Sequence, residues 1–348
     1  MIKYLGSKRA LMPAVLDAVV GDRGAPCTVL DLFSGTSRVG HALKRLGHRV
    51  IANDHNAYAE VLARCYVGAD AEDHLADLPP IIAELNALPG VPGYFTETFC
   101  ARARFFHPRN GARIDAIRTR IRTMGLAPER EAVLLVALME AADRVDSTTG
   151  LQMAYLKRWA PRALGDLELR PPDLLSRSPL GKGVALGLEA EQAAAAAEVD
   201  VAYLDPPYNQ HAYHAYYHVW ETLVRDDAPE AYGVACKRVD TRQRRSAFNS
   251  RPRHREALEA ALAALRVRDR VVVSFNDEGY MALADLEAML ACLWGGTARV
   301  HVRTVEHVRY IGARIGIHDP KGRKVGEVGR LRNHEHLVIA DRPGSVRA

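Results

Sequence analysis

The chain has 348 residues, 48% of them hydrophobic and 26% charged, enough for one large α/β domain with insertions or for two domains. No apolar run approaches the roughly 20 residues of a membrane span, and Met1 to Arg9 is polar and basic without the apolar stretch of a signal peptide. The five cysteines lack CxxC spacing, which argues against a zinc site and a disulfide framework and points to a reducing cytoplasm, while a net charge of +5 is compatible with a nucleic-acid partner without demanding one.

In chain order, KYLGSKRALMPAVLDAVV places Gly6, Ser7 and Lys8 before an apolar-periodic helix that Ser7 or a neighbour is expected to cap. TVLDLF (28–33) reads as a buried strand running into SGTSRVGHALKRLG, a tight glycine turn followed by a helix. HRVIAND (48–54) is the next strand and ends on Asp54. Strand, glycine turn, helix, strand and terminal acid make the βαβ layout that holds an adenosine-type ligand: glycine lets the backbone approach, and the acid takes ribose hydroxyls. Residues 73–183 then turn to helical periodicity broken by Pro and Gly, with EAVLLVALMEAADRV (131–145) the clearest helix. Strand character resumes at VALGL (184–188) and, after the helix-forming EAEQAAAAAE (189–198), in VDVAYLD and RVVVSFNDEG (270–279). EALEAALAALR (256–266) and YMALADLEAMLACLW (280–294) read as amphipathic crossover helices, and ARVHVRTVEHV (298–308) and HLVIA (336–340) as late strands pairing antiparallel at the sheet edge. The expected division is 1–72 and 184–348 as two halves of one α/β domain, with 73–183 as a helical insert.

The stretch YLDPPYNQH (203–211) sets an acid, two prolines and an aromatic ring directly after an apolar strand. Pro206 and Pro207 remove two backbone donors and fix φ, so the ladder ends and Asp205 and Tyr208 project from the strand's C-terminal edge. In an open α/β sheet that edge is where ligands bind.

YLGSK near the start, DLFSGT, Asp54 and DPPYN, in that order, together resemble the DNA adenine-N6 methyltransferases of the D12 class. SFNDEGY (274–280) and YHVWETL (217–223) extend the likeness, and the helical insert matches loosely. The resemblance implies an α/β fold: a Rossmann-like S-adenosylmethionine methyltransferase sheet, mostly parallel with a late antiparallel edge strand, carrying an inserted helical target-recognition domain. It implies S-adenosylmethionine as cofactor without a metal, double-stranded DNA as partner, a cognate restriction endonuclease as a candidate partner, and a monomer or weak dimer free of membranes. Asp205, Pro206, Pro207 and Tyr208 would be the catalytic quartet. Tyr4 and Lys8 would line the methionine side of the cofactor, Asp31, Phe33 and Gly35 its centre, Asp54 the ribose and Glu189 the adenine. One departure from the family is Ser37, where a second glycine is usual.

The chemistry gives these residues an independent reason. An exocyclic amine is a poor nucleophile because its lone pair is delocalised into the ring. The Asp205 carboxylate and the Pro206 carbonyl can each accept one amino hydrogen, which favours a pyramidal nitrogen, and the two prolines hold those acceptors still. Tyr208 offers a face for a base that has left the duplex at a cost of a few kcal/mol, of which stacking recovers roughly 1–3 kcal/mol.

Residues 237–255 hold eight Lys or Arg against the single acid Asp240, and 310–333 form a second basic stretch with a hairpin pattern. Lys237, Arg238, Arg242, Arg244, Arg245, Arg251, Lys321 and Arg323 are the candidate DNA contacts; a solvated loop is the other reading of such a run. Base-edge readout is expected from the insert or from 237–255. His211, His214 and His218 share a helical spacing, and His334-Glu335-His336 opens a strand, but neither group has a further ligand nearby and neither is read as a metal site. Two alternatives remain open: an RNA or other amine N-methyltransferase with the same site, and a non-catalytic DNA-binding protein on the same fold. Asp205 favours adenine, since relatives acting on cytosine tend to have serine there and those acting on protein glutamine asparagine. The intact DPPY, Lys8 and Asp54 count against the non-catalytic reading.

Overall fold

The computed structural model describes residues 1–308 and 332–344, apart from Ser7, Asp22, Asn209, His211 and Glu278. Its strands are β1 (Thr28–Asp31), β2 (Arg49–Asn53), β3 (Val184–Leu186), β4 (Glu198–Leu204), β5 (Ala231–Tyr232), β6 (Lys237–Arg238), β7 (Arg266–Asn276), β8 (Arg299–Val308) and β9 (Arg332–Asp341). Seven of them form one sheet in the order β3-β2-β1-β4-β7-β9-β8, and β5 and β6 make a separate antiparallel pair. The first five strands of that order are parallel, and β9 runs antiparallel to both β7 and β8. The two late strands therefore pair antiparallel at one edge of the sheet, as the sequence pattern predicts, with β8 outermost and β9 one place in. Burial explains the placement: Glu335 to Ala340 of β9 are all buried, whereas no residue of β8 from Arg299 to Glu306 is. A strand apolar on both faces belongs inside a sheet.

Alternation along the strands separates two layers of core. Val29, Val50, Val201, Tyr203, Val272 and Ile339 face helices Met12–Val20 and Arg38–Arg45. Leu30, Ile51, Ala202, Leu204, Val271 and Val338 face helices Ala190–Ala196, Arg251–Ala264 and Leu283–Ala291. A third core joins the helices between Ala57 and Arg144 to helix His218–Arg225, around Phe99, Phe105, Phe106, Leu138 and Trp220. The helix that follows the DPPY stretch is thus anchored in the helical block rather than on the sheet. In that block Pro128, Glu129 and Glu131 open helix Pro128–Arg144 and Arg144 closes it, matching the helix dipole at both ends.

Strand order reverses direction at β1. From β1 the chain moves outward through β2 and β3, then returns to place β4 on the other side of β1. That switch point opens a crevice between the C-terminal ends of β1 and β4.

Candidate active site

Register brings the two strand ends level. Asp31 at the end of β1 pairs with Ala52 on one side and Tyr203 on the other, so Asp205, two residues on from Tyr203, leaves the sheet beside the chain that follows β1. The turn there is pinned by Leu32 N–H to the Tyr203 carbonyl (3.0 Å), Ser34 N–H to the Asn53 carbonyl (2.8 Å) and Ser37 N–H to the Ser34 carbonyl (2.6 Å). Gly35 has φ of +51°, and a Cβ on it would stand 3.3 Å from the Tyr4 ring, so any other residue there is strained and must push that ring aside. Asp54, at the end of β2, ties the two βα turns together by accepting from Gly35 N–H (3.1 Å) and Asn56 N–H (2.9 Å).

Asp31 forms the floor and is only 1% exposed. One oxygen accepts the Gly40 N–H at 3.1 Å; the other is buried without a hydrogen-bond partner. Burial, with the Asp205 and Asp54 charges adding to it, pushes its carboxyl up to about 7.

Asp205 stands beside a buried cation. Its Oδ1 is 3.0 Å from Lys8 Nζ, and the same ammonium donates to Glu335 of β9. Ser274 donates its hydroxyl to Glu335 as well. Burial raises the Asp205 carboxyl to about 6, against the opposing pull of Lys8 and with the help of Glu335. Burial opposes the charge on Lys8, but Asp205 and Glu335 outweigh it and hold the ammonium well above its usual range. The residue read as lining the methionine side of a cofactor is therefore first a partner of the DPPY acid.

Aromatic rings wall the cleft. Tyr4 stacks on Tyr217 (centroids 4.6 Å apart) and Tyr213 (5.2 Å), and Leu5 N–H donates to the Tyr217 hydroxyl at 2.6 Å. Phe33 meets the edge of Phe248 at 4.9 Å. The Tyr208 carbonyl accepts the Tyr280 N–H at 3.1 Å, which ties the DPPY loop to the chain leaving β7. Glu189 is 72% exposed at the start of helix Ala190–Ala196, its carboxylate 3.4 Å from His55 Nδ1. The hydrogen bond from His55 holds the Glu189 carboxyl below its usual value; His55, although burial lowers it, is raised by Glu189 and Asp54.

One cleft is lined by Tyr4, Lys8, Asp31, Phe33, Gly35, Asp54, Glu189, Asp205, Pro206, Pro207 and Tyr208. Counted with its open mouth, the space it encloses is about 1060 Å³. Arg38, Asn53, His55, Tyr213, Ser246 and Phe248 line it too and were not singled out from sequence. Phe248 had a signal, as the one large apolar residue in a basic loop. Glu335 had one as well, being an acid placed before an apolar strand.

The basic residues divide. Arg238 is 4% exposed, and its guanidinium is consumed by Asp227, Asp240 and the Thr222 hydroxyl, so it staples β6 in place and has no donor left for a phosphate. Arg244 donates to buried Glu221 at 2.9 Å and to the His55 carbonyl at 3.1 Å. Arg242 covers the Tyr232 ring at 3.9 Å. Arg245 and Arg251 are exposed and Lys237 is half-buried. Lys321, Arg323 and the stretch 310–331 lie outside the described residues. His214 and His218 meet the backbone carbonyls of Thr241 and Gln152, and His334 and His336 both face Asp277. Among the described residues no cluster of His, Cys, Asp and Glu fit to hold a metal occurs, and no helix is long and apolar enough to cross a membrane.

With that geometry in view, the relatives are informative. The chain is similar to modification methylase StsI of Streptococcus sanguinis, 27% identical over 83% of this chain and 46% of that protein. It is similar to the type II methyltransferase M.NlaIII of Neisseria lactamica, 29% identical over 82% of this chain and 86% of that protein. The type II methyltransferase M.FokI of Planomicrobium okeanokoites is 28% identical over 83% of this chain and 46% of that protein. The chain thus spans about half the length of StsI and M.FokI but most of M.NlaIII. A family model described as D12 class N6 adenine-specific DNA methyltransferase matches residues 4–262, from the tyrosine of YLGSK past the DPPY cleft, and the chain belongs to that family.

Proposed function

We propose that this chain is an S-adenosylmethionine-dependent, site-specific DNA methyltransferase acting on N6 of an adenine flipped out of duplex DNA. It would work in the cytoplasm within a restriction-modification or phage-defence system, or as an orphan methylase. The observation that carries the reading is the meeting of Asp205 and Asp31 in one cleft, an amine acceptor at its mouth and a buried carboxylate with a bare oxygen at its floor.

The cleft suits the cofactor. The unpartnered oxygen of Asp31 calls for a cation or donor, which the α-ammonium of a methionine moiety provides. Gly35 makes way for the Tyr4 ring at the wall of the cleft, and Asp54 directly follows β2, where ribose hydroxyls are taken. Bound S-adenosylmethionine supplies a methyl group on a sulfonium, a good leaving group. Asp205 and the Pro206 carbonyl accept the two hydrogens of the adenine amine and orient its lone pair. With its carboxyl at about 6, Asp205 is ionised at neutral pH and able to play that part. Tyr208 stacks on the base. Residues 73–183 act as the target-recognition domain, and Lys237, Arg242, Arg245 and Arg251, with the stretch 310–333, meet the phosphates.

The test is transfer from labelled S-adenosylmethionine by the purified chain to duplex DNA and, separately, to RNA, with digestion to nucleosides and mass spectrometry. N6-methyldeoxyadenosine from DNA alone is the expected product. Label in RNA or on cytosine would move the substrate, and no label on any nucleic acid would overturn the reading.

A further inference from the structure

Glu335 sits inside β9, opposite Asn276 of β7, and is 2% exposed. A carboxylate in the interior of a sheet is costly unless its neighbours compensate it. Here they do: Lys8 and the Ser274 hydroxyl donate to one oxygen, and Asn276 Nδ2 lies 3.5 Å from the other. Ser274 and Asn276 both belong to β7, so the strand that pairs with β9 also aims its acid at Lys8.

Lys8 has one ammonium and two acidic partners. The second is Asp205, whose side chain is 22% exposed and still opens on the cleft. Were Lys8 to face Asp205 alone, the two would close into a simple ion pair, and a carboxylate neutralised in that way is a poorer acceptor for a substrate amine. Building on the methyl transfer proposed above, we propose that Glu335 is a positioning residue for Asp205: it takes up part of the Lys8 ammonium and so leaves Asp205 available to the amine.

The groups facing Asp205 are Lys8 from the N-terminal segment, Glu335 from β9, Asp31 from β1, Tyr203 from β4, and Tyr208 and Tyr213 from the loop and helix beyond it. Asp31 also titrates near neutrality. The measurement is therefore made with saturating S-adenosylmethionine, where the proposed ammonium contact holds Asp31 ionised.

The experiment compares kcat from pH 5 to 9 for the wild type, Glu335→Gln, Lys8→Met and the double variant, with DNA as substrate. Glu335→Gln gives Lys8 wholly to Asp205, so the acid limb of its profile moves down by about one unit or more. Its plateau kcat falls roughly tenfold while KM for S-adenosylmethionine stays within about twofold. Added to Lys8→Met, the same change causes little further loss of plateau kcat, since that loss runs through Lys8, although the limb still moves down as the Glu335 charge beside Asp205 is removed. An acid limb that stays in place, or an equal loss in both backgrounds, overturns the inference and leaves the methyltransferase reading standing. No transfer by the wild type overturns both. Should Glu335→Gln fail to fold, Ser274→Ala replaces it: stripped of that donor, Glu335 draws Lys8 from Asp205, and the limb moves upward; an unmoved limb there is equally fatal.

Discussion

Replacing Asp31 by Asn should make the cofactor-free protein more stable and the enzyme worse. The Asp31 carboxyl is pushed from its ordinary value of 3.8 up to about 7, chiefly by burial. An acid raised in the fold binds its proton more tightly there than in the unfolded chain. Below about pH 4 both states are protonated and nothing is lost; as pH climbs through 7 the fold must carry a buried charge. By pH 8 the difference of about 3 units amounts to about 4 kcal/mol. Asn keeps an oxygen for the Gly40 N–H and removes the charge, but it turns an amide toward the bare position, at about 1–3 kcal/mol for an unsatisfied donor. The net gain at pH 8 is about 1–3 kcal/mol, and it should vanish by pH 5. Thermal unfolding of wild type and Asp31→Asn across that range measures it. Calorimetry should show S-adenosylmethionine affinity falling about 100-fold or more with the lost ion pair, and the wild type releasing about half a proton on binding at pH 7. A stability difference that ignores pH, or retained affinity, would refute the reasoning.

Ser37 is fully buried at φ of +57° with no partner for its hydroxyl, so Ser37→Gly should stabilise the chain by about 1 kcal/mol in denaturant titrations, the left-handed conformation costing a side-chain-bearing residue about 1–2 kcal/mol. Arg245→Ala should reduce the slope of log K against log salt for DNA by about 1, whereas Arg244→Ala, which deprives buried Glu221 of a partner, should lower the unfolding midpoint and leave the slope alone. Tyr208→Ala should cut turnover by about 10-fold or more through lost stacking, with Tyr208→Phe much milder; equal losses would mean that the hydroxyl matters and the stack does not.

Much of the cleft could be read from the chain because its parts are punctuated locally. Gly35, Asp54 and the pair Pro206-Pro207 each sit in the turn that follows a strand, and strand ends at a switch point meet without help from distant residues. What escaped depends on partners far along the chain. Lys8 and Glu335 are 327 residues apart, and nothing near either announces the other. Arg238 looked like its exposed neighbours until Asp227 and Asp240 were seen closing on it. Burial raises the Asp205 carboxyl to about 6, which periodicity does not report. The third core had the same obstacle, since helix His218–Arg225 packs against Phe99 and Phe106, far earlier in the chain.

The most direct test is single-molecule sequencing of genomic DNA from cells expressing this chain, beside cells expressing Asp205→Ala. Modified adenine confined to one short motif and absent from the Asp205→Ala control is the predicted result. Unmodified DNA in cells holding the folded wild-type protein, or the same modification with Asp205→Ala, would contradict it.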